Sequence, residues 1–311
     1  MNLPEVSIVV PLYNEESVFE LLLERIEKVV QSSDFKIEVV LVDDGSSDLT
    51  PILIEKATNE NQAFTGVILS RNHGHQLAVS AGLSVAAGTH AVMIIDGDLQ
   101  DPPELIFDFY NKMKEGFDVV YALRQNRKES ALKKFAYWFY YRLQRRLSNF
   151  TVPIDSGDFS MISRRVVDHL NAMPEQSRYL RGMRSWVGFK QFGYRYDRDE
   201  RKGGITKYSW KKLFELAFNG IFNFSDLPIR FITRLGISTI IVSLIYIIYI
   251  LVKKLMGIYI PEGFTTLIIA ICLFSGVQLI SIGMLGEYVL RIYKQVRNRP
   301  LFVIDKVIRK K

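Results

Sequence analysis

Four short runs of β-branched and other apolar residues recur along the first third of the chain, and their connections constrain the fold. They are Val6-Ser7-Ile8-Val9-Val10-Pro11, Ile37-Glu38-Val39-Val40-Leu41-Val42, Gly66-Val67-Ile68-Leu69-Ser70 and Val92-Met93-Ile94-Ile95. Leu21, Leu22, Ile26, Val29 and Val30 return at helical spacing after the first run, and a small-residue stretch from residue 77 to 87 has the same character before the fourth. This β-α alternation predicts an α/β fold, a mostly parallel sheet with helices on both faces. Ligands then bind outside the carboxyl ends of the strands.

The polar turns on that predicted edge are rich in acids. The second run ends in Asp43-Asp44-Gly45-Ser46-Ser47-Asp48, the third in Arg71-Asn72-His73-Gly74-His75-Gln76, and the fourth in Asp96-Gly97-Asp98-Leu99-Gln100-Asp101-Pro102-Pro103-Glu104. Residues two apart on a strand project to the same side. Asp96 and Asp98 can therefore reach one hard divalent cation through oxygen, leaving its other positions for water and substrate phosphates. A lone D-x-D also describes an ordinary Asp-rich turn; its place at the end of a buried strand favours the metal reading. His73 and His75 lack the third ligand that a nitrogen-bound metal needs. Gly82 and Gly88 satisfy no G-x-G-x-x-G pattern, which argues against a dinucleotide cofactor.

The C-terminal third is of another kind. Residues 235–252 and 264–286 contain no charged side chain, and a bilayer core about 30 Å thick needs roughly 20 helical residues. The chain of 311 residues thus divides into an α/β domain over 1–209, an interfacial amphipathic segment over 210–230, two transmembrane helices at about 231–253 and 264–287 within 231–290, and a basic tail over 291–311. Arg291, Lys294, Arg297, Arg299, Lys306, Arg309, Lys310 and Lys311 follow the second span, whereas the intervening turn holds only Lys253 and Lys254. The positive-inside rule then places the α/β domain and the C-terminus on the cytoplasmic side of a plasma (inner) membrane that the chain crosses more than once. Met1 to Glu5 has neither the basic nor the apolar part of a leader. Cys272, in the second span, has no intrachain partner for a disulfide.

The net charge of +7 raises the question of nucleic acid, but no nucleic-acid motif accompanies it. Lys133-Lys134, Arg142, Arg145-Arg146, Lys211-Lys212 and the tail suit anionic headgroups, each contributing about 1 kcal/mol near a bilayer. The aromatic and basic segment 135–147 reads as a helix in the headgroup layer, with a core helix as the alternative, and 210–224 is a second candidate of the same kind.

Residues 6–16, Asp43-Asp44-Gly45-Ser46, Arg71-Asn72-x-Gly74, the Asp96 to Glu104 run, Asp155-Ser156-Gly157-Asp158-Phe159 and Arg201-x-x-Gly204-x-x-Lys207-Tyr208 together resemble family 2 glycosyltransferases of the GT-A fold. More narrowly, they resemble the polyprenyl-phosphate glycosyltransferases, which include dolichyl-phosphate mannose synthases and bactoprenol glucosyltransferases. The resemblance spans almost the whole chain. One departure is Ser160, where many of those relatives carry Arg.

The resemblance implies metal-dependent, inverting transfer of a hexose from a UDP-sugar to undecaprenyl phosphate, with Mg2+ or Mn2+ as cofactor and the lipid bilayer as a partner. Glucose is the expected sugar; N-acetylglucosamine, an amino-sugar and mannose from GDP-mannose are alternatives. A polysaccharide synthase would need a longer membrane region, and a degenerate scaffold would have lost the site acids. Self-association is left open. By the same resemblance, Asp98 is the main metal ligand, Asp96 contacts metal or ribose, and Gln100 is a third contributor. Pro11, Tyr13, Glu15, Asp44 and Arg71 join Asp96 at the donor, with Asp44 at the nucleobase and His73 and His75 shaping the pocket. Arg201 and Lys207 flank Gly203-Gly204 as lid cations closing on the diphosphate. Arg124 and Arg127 are candidate ligands of the acceptor phosphate, since guanidinium matches phosphate oxygens in pairs. Asp158 matches the position assigned as base, with Asp155 competing. A phosphate monoester with a second pKa near 6 is already largely ionised at pH 7, so Asp158 is equally a candidate for orienting the acceptor or stabilising an oxocarbenium-like sugar.

Overall fold

A computed structural model describes residues 3–125, 156–197, 227–257 and 263–310. In chain order the first part contains β1 (Val6–Leu12), α1 (Glu16–Gln31), β2 (Ile37–Asp43), α2 (Thr50–Glu60), β3 (Phe64–Leu69), α3 (His75–Val85), β4 (Ala91–Ile94), a 3-10 turn (Pro103–Leu105), α4 (Ile106–Lys114) and β5 (Val119–Gln125). It continues with β6 (Ser156–Ser163), α5 (Arg164–Ala172), α6 (Leu180–Trp186) and β7 (Gln191–Asp197). The remaining elements are the long helices α7 (Leu227–Leu255) and α8 (Phe264–Val296) and a final strand, β8 (Ile304–Arg309).

The described strands form one sheet in the order β7-β5-β6-β4-β1-β2-β3-β8. β1 pairs in parallel with β2 and β4, β2 with β3, and β5 with β7, while β6 runs antiparallel to β4 and β5 and β8 antiparallel to β3. The expected mostly parallel α/β sheet is therefore observed. Its central strands are buried on both faces: β1 and β4 have no exposed residue. That is why they read as continuous apolar runs rather than alternating ones.

Helix α1 turns Val18, Phe19, Leu22, Ile26 and Val29 into the core, the apolar stripe of a helix lying on a sheet. Helix α3 packs closer. Its Ala78, Val79, Ser80, Ala81, Gly82 and Leu83 are buried, and a Cβ on Gly82 would stand 2.3 Å from Val9 Cγ1. Small side chains bring the start of α3 against the sheet edge where the acids lie.

The last third differs from its sequence reading in two places. Helix α8 does not stop at residue 287 but runs to Val296, where Glu287 and Arg291 form a ladder pair at 2.8 Å. The stretch read as a plain basic tail contains β8, which pairs Thr65 with Arg309, Gly66 with Ile308, Val67 with Val307, Ile68 with Lys306 and Leu69 with Ile304. Alternation was hard to see in Ile304-Asp305-Lys306-Val307-Ile308-Arg309 because an edge strand carries charges on its open side. Helices α7 and α8 form a unit of their own with residues up to 298, and residues 299–311 belong with the sheet. Within Phe231–Lys253 and Ile269–Val296 they are long and apolar enough to cross a membrane, with none of the windows buried.

Candidate active site

The carboxyl edge gathers the loops after β1, β2, β3 and β4 and the start of β6. The turn after β1 is tied to the turn after β2: Asp44 N donates to Leu12 O at 2.9 Å, Asn14 N to Ser46 Oγ at 2.9 Å, Ser47 N to Asn14 Oδ1 at 2.8 Å and Glu15 N to Thr50 Oγ1 at 3.0 Å. Asn14 adopts φ 53°, a left-handed conformation that Asn tolerates better than most residues. Pro11 is buried in β1 and Tyr13 projects exposed beside it. Asp43 caps its own turn, accepting from Gly45 N at 3.1 Å and Ser46 N at 3.2 Å.

Asp44 is buried and accepts from His73 N at 2.7 Å and Gly74 N at 2.9 Å. Burial raises its pKa, and those backbone donors oppose the shift. The loop after β3 thus hangs on the carboxylate expected at the nucleobase. Gly45, at φ +67°, has no room for a side chain, because a Cβ would lie 2.3 Å from Arg71 C and 2.4 Å from Asn72 N. Arg71 itself is exposed and turns its Nη1 to Asn72 O at 3.1 Å.

The D-x-D loop leaves β4 after Ile95 N has donated to Val9 O at 3.1 Å. A Cβ on Gly97 would meet Leu12 Cδ2 at 2.6 Å and Pro11 O at 3.2 Å, so the turn passes close under the end of β1 and a larger middle residue would displace the Leu12 side chain. Asp96, Asp98 and Gln100 are half-buried on this loop, and Gln100 N donates to Asp98 Oδ1 at 3.2 Å. Leu99, between them, is buried at φ 61°; left-handed non-glycine residues cluster where function requires them. Arg25 of α1 steadies the loop's far end, donating Nε to Glu104 Oε1 at 2.7 Å and Nη2 to Glu104 Oε2 at 2.9 Å.

Asp158, near the start of β6, is brought to the same place. Arg181 of α6 grips it with Nε to Oδ1 at 2.8 Å and Nη2 to Oδ2 at 3.2 Å. Gln76 donates Nε2 to Oδ2 at 3.1 Å and accepts from Leu180 N at 2.9 Å. His75, the first residue of α3, stands between the two acids, with Nε2 at 3.4 Å from Asp158 Oδ2 and 3.6 Å from Asp96 Oδ1. Burial pushes the Asp158 pKa up, but the Arg181 guanidinium and His75 overcome it and hold the carboxyl well below its ordinary value. Burial lowers His75, and the bond to Asp158 with the Asp96 and Asp158 charges outweighs it, so the ring is raised. Burial raises Asp96, His75 opposes, and Asp101 and Asp158 add to the rise. Behind Asp158 lies buried Arg184, whose Nη2 reaches Gly157 O at 3.4 Å and whose guanidinium lies 5.5 Å from the Tyr121 ring centre. Burial lowers its pKa to about 10.

Sequence reasoning put the turns holding Tyr13, Glu15, Asp44, Arg71, Asp96, Asp98 and Gln100 on one edge, where the structure has them at the end of buried Pro11's strand; it named Asp158 by resemblance alone, and the structure brings it to the same edge. It missed Gln76, Arg181 and Arg184, and gave His75 no contact with the acids. The spacing of Arg181 and Arg184 on α6 was a signal, since i, i+3 residues share a helix face, but nothing local shows that this face meets Asp158. Arg124 lies in β5 towards the same edge; its side chain, and Asp155, Arg127, Arg201, Lys207 and segments 135–147 and 210–224, lie outside the described residues. Among the described residues no group of three His, Cys, Asp or Glu side chains is set to hold a metal. The donor set still suits Mg2+ or Mn2+, which take one or two carboxylates and fill their remaining positions with water and substrate phosphates.

Residues 7–170 match the glycosyl transferase family 2 domain. An uncharacterised glycosyltransferase of Synechocystis sp. is 40% identical over 97% of this chain and 95% of its own. The SfII prophage-derived bactoprenol glucosyl transferase of Shigella flexneri is 36% identical over 97% of this chain and 98% of its own. Among solved structures, glucosyl-3-phosphoglycerate synthase from Mycobacterium tuberculosis aligns with a TM-score of 0.46 at 19% identity, over 70% of this chain and 77% of that one. With more than half its length inside the family 2 domain and near full-length relatives above 30% identity, the chain belongs to the family 2 glycosyltransferases and is a glycosyltransferase.

Proposed function

We propose that this enzyme transfers glucose from UDP-glucose to undecaprenyl phosphate at the cytoplasmic face of the plasma membrane, with inversion at the anomeric carbon. The observation that carries the reading is the meeting of Asp96, His75 and Asp158 within 3.6 Å contacts at the carboxyl edge, in a chain whose near full-length relatives include bactoprenol glucosyl transferases. In the reaction an acceptor phosphate oxygen attacks the sugar's anomeric carbon, the bond from that carbon to the diphosphate breaks, and UDP leaves with the electron pair. Asp98, Asp96 and Gln100 would hold the divalent cation, which when bound neutralises charge developing on the leaving diphosphate. Asp44 and the loop 71–74 receive the nucleobase, and Arg71 adds a cation on the donor side.

The acceptor phosphate arrives ionised, so no strong base is needed. Asp158 suits that economy. Ion-paired and poorly basic, it fixes the site's charge and orients its neighbours rather than removing a proton. Arg124, Arg127, Arg201 and Lys207 complete the reading as phosphate-binding cations on the acceptor and donor sides.

The membrane reading gains support from chain connectivity. Strand β8 follows α7 and α8 yet pairs with β3. A chain that crosses a bilayer in those helices must therefore come back to the side it left, and the basic flank of α8 makes that side the cytoplasm. Membranes containing the protein, incubated with labelled UDP-glucose, UDP-N-acetylglucosamine and GDP-mannose and then extracted for lipid, are expected to carry label from UDP-glucose and to lose it with chelator. Label from another nucleotide sugar alone would overturn the choice of sugar, and no lipid label from any would overturn the acceptor.

A further inference from the structure

The chain segment after α8 does more than close the sheet. Its lead-in is pinned at both ends: Gln176 Nε2 donates to Arg299 O at 2.8 Å, and Ser70 N donates to Val303 O at 3.0 Å. Val303 N in turn points at His73 Nε2, 3.4 Å away. His73 is the residue whose backbone N donates to the Asp44 carboxylate at 2.7 Å. The loop 70–74 is thus held from two directions, by the end of β2 on one side and by the returning chain on the other.

We propose that residues 299–309 are a positioning element of the donor site, holding the loop 70–74, and through it Asp44, in the form that accepts the nucleotide. The inference rests on the reading that this loop receives the nucleobase. Three further features support it. Strand β8 covers β3, which would otherwise be an open sheet edge. Ile308 packs over Gly66, where a Cβ would come within 3.5 Å of the Ile308 Cβ. Lys310 Nζ donates to Glu60 O at 2.7 Å and Arg309 Nη2 to Val85 O at 3.4 Å, so the strand is tied to the ends of α2 and α3 as well as to β3. Burial and the neighbouring Arg71 cation keep the His73 imidazole below its ordinary pKa, which leaves a neutral ring with a nitrogen able to accept from Val303.

A contact that shapes the donor loop alike in the ground and transition states changes donor affinity and KM more than kcat. The test uses the full-length protein in detergent or membranes. Val303→Pro removes the N–H offered to His73; His73→Phe removes the acceptor, and His73→Gln restores one. Val303→Pro and His73→Phe should each weaken UDP binding and raise the KM for UDP-glucose about two- to tenfold, the range of one ordinary hydrogen bond, with kcat and the acceptor KM little changed. The double variant should be no worse than either single one, because both remove the same contact. His73→Gln should recover most of the loss. Amide hydrogen exchange of residues 70–74 should quicken in Val303→Pro while that of β1 stays as in the parent.

Unchanged loop exchange and unchanged UDP affinity in Val303→Pro, or losses that multiply in the double variant, would overturn the proposal. If Val303→Pro does not fold, the contrast between His73→Phe and His73→Gln decides it. A parent protein that binds no UDP would bring down the donor reading instead, and the exchange rates would still show whether the returning chain holds this loop.

Discussion

Asp98 stands on a half-buried loop that ends a strand rather than inside the sheet, so Asp98→Asn should leave the fold intact. It should abolish lipid glycosylation and weaken divalent-dependent UDP binding, read by circular dichroism, by transfer assay and by UDP titration with and without Mn2+. Near-parental transfer by this variant with chelator present would remove the carboxylate from the metal site. At Asp158 the expectation follows from charge. Because Arg181 holds its pKa well below the ordinary carboxylate value, Asp158 stays ionised across the working range and Asp158→Asn should not be rescued by raising pH. In Arg181→Leu the burial of Asp158 is opposed by less positive charge, so its pKa climbs. That variant should gain an acid limb in its pH–rate profile, losing activity as pH falls through the raised value, at pH values where the parent shows none. A scaffold role for Arg181 would lower activity uniformly with pH.

The elements reach the site through close packing that a helix wheel does not reveal. Replacing a helical glycine by alanine ordinarily stabilises by up to about 1 kcal/mol. At Gly82 the sign should reverse, since the new Cβ would lie 2.3 Å from Val9 Cγ1 and 3.0 Å from Val42 Cγ2 and overpacking costs about 1–3 kcal/mol. Gly82→Ala should therefore lower the melting temperature in detergent. It should also reduce transfer, because α3 carries His75 and Gln76 to Asp158. An unchanged melting temperature would mean that Val9 and Val42 yield more easily than their buried places in β1 and β2 suggest.

For the whole molecule, the returning strand changes what can be cut away. A chain ending near Asp226 would lose the two long helices but also β8, leaving β3 without its outer partner. The informative variant joins residue 226 to residue 299 through a flexible Gly/Ser linker, which keeps the strand and removes the hairpin. It should bind UDP and glycosylate a short, water-soluble polyprenyl phosphate, while losing most transfer to undecaprenyl phosphate in membranes. The long acceptor is confined to the bilayer by about 0.8 kcal/mol per buried methylene. Equal rates on membrane-embedded acceptor for both proteins, at matched folded concentration, would show that the hairpin does not bring enzyme and acceptor together.

The sequence by itself determined the class of sheet, the edge on which the strand-end acids lie and the two apolar helices. Each of these depends on order along the chain: runs of β-branched residues, acids at their ends, and uncharged stretches long enough to span a bilayer. Asp96, Asp98 and Asp44 were legible for that reason. Only the tertiary structure decided what surrounds Asp158 and what β8 does. His75, Gln76 and Arg181 reach that carboxylate across 83, 82 and 23 residues of sequence, and β8 finds β3 across more than 200. Such pairings are fixed by sheet order and helix packing, to which local periodicity is blind. The same reason explains why a strand with Asp305, Lys306 and Arg309 in its six residues read as a tail: its partner edge existed only once the rest of the sheet had formed.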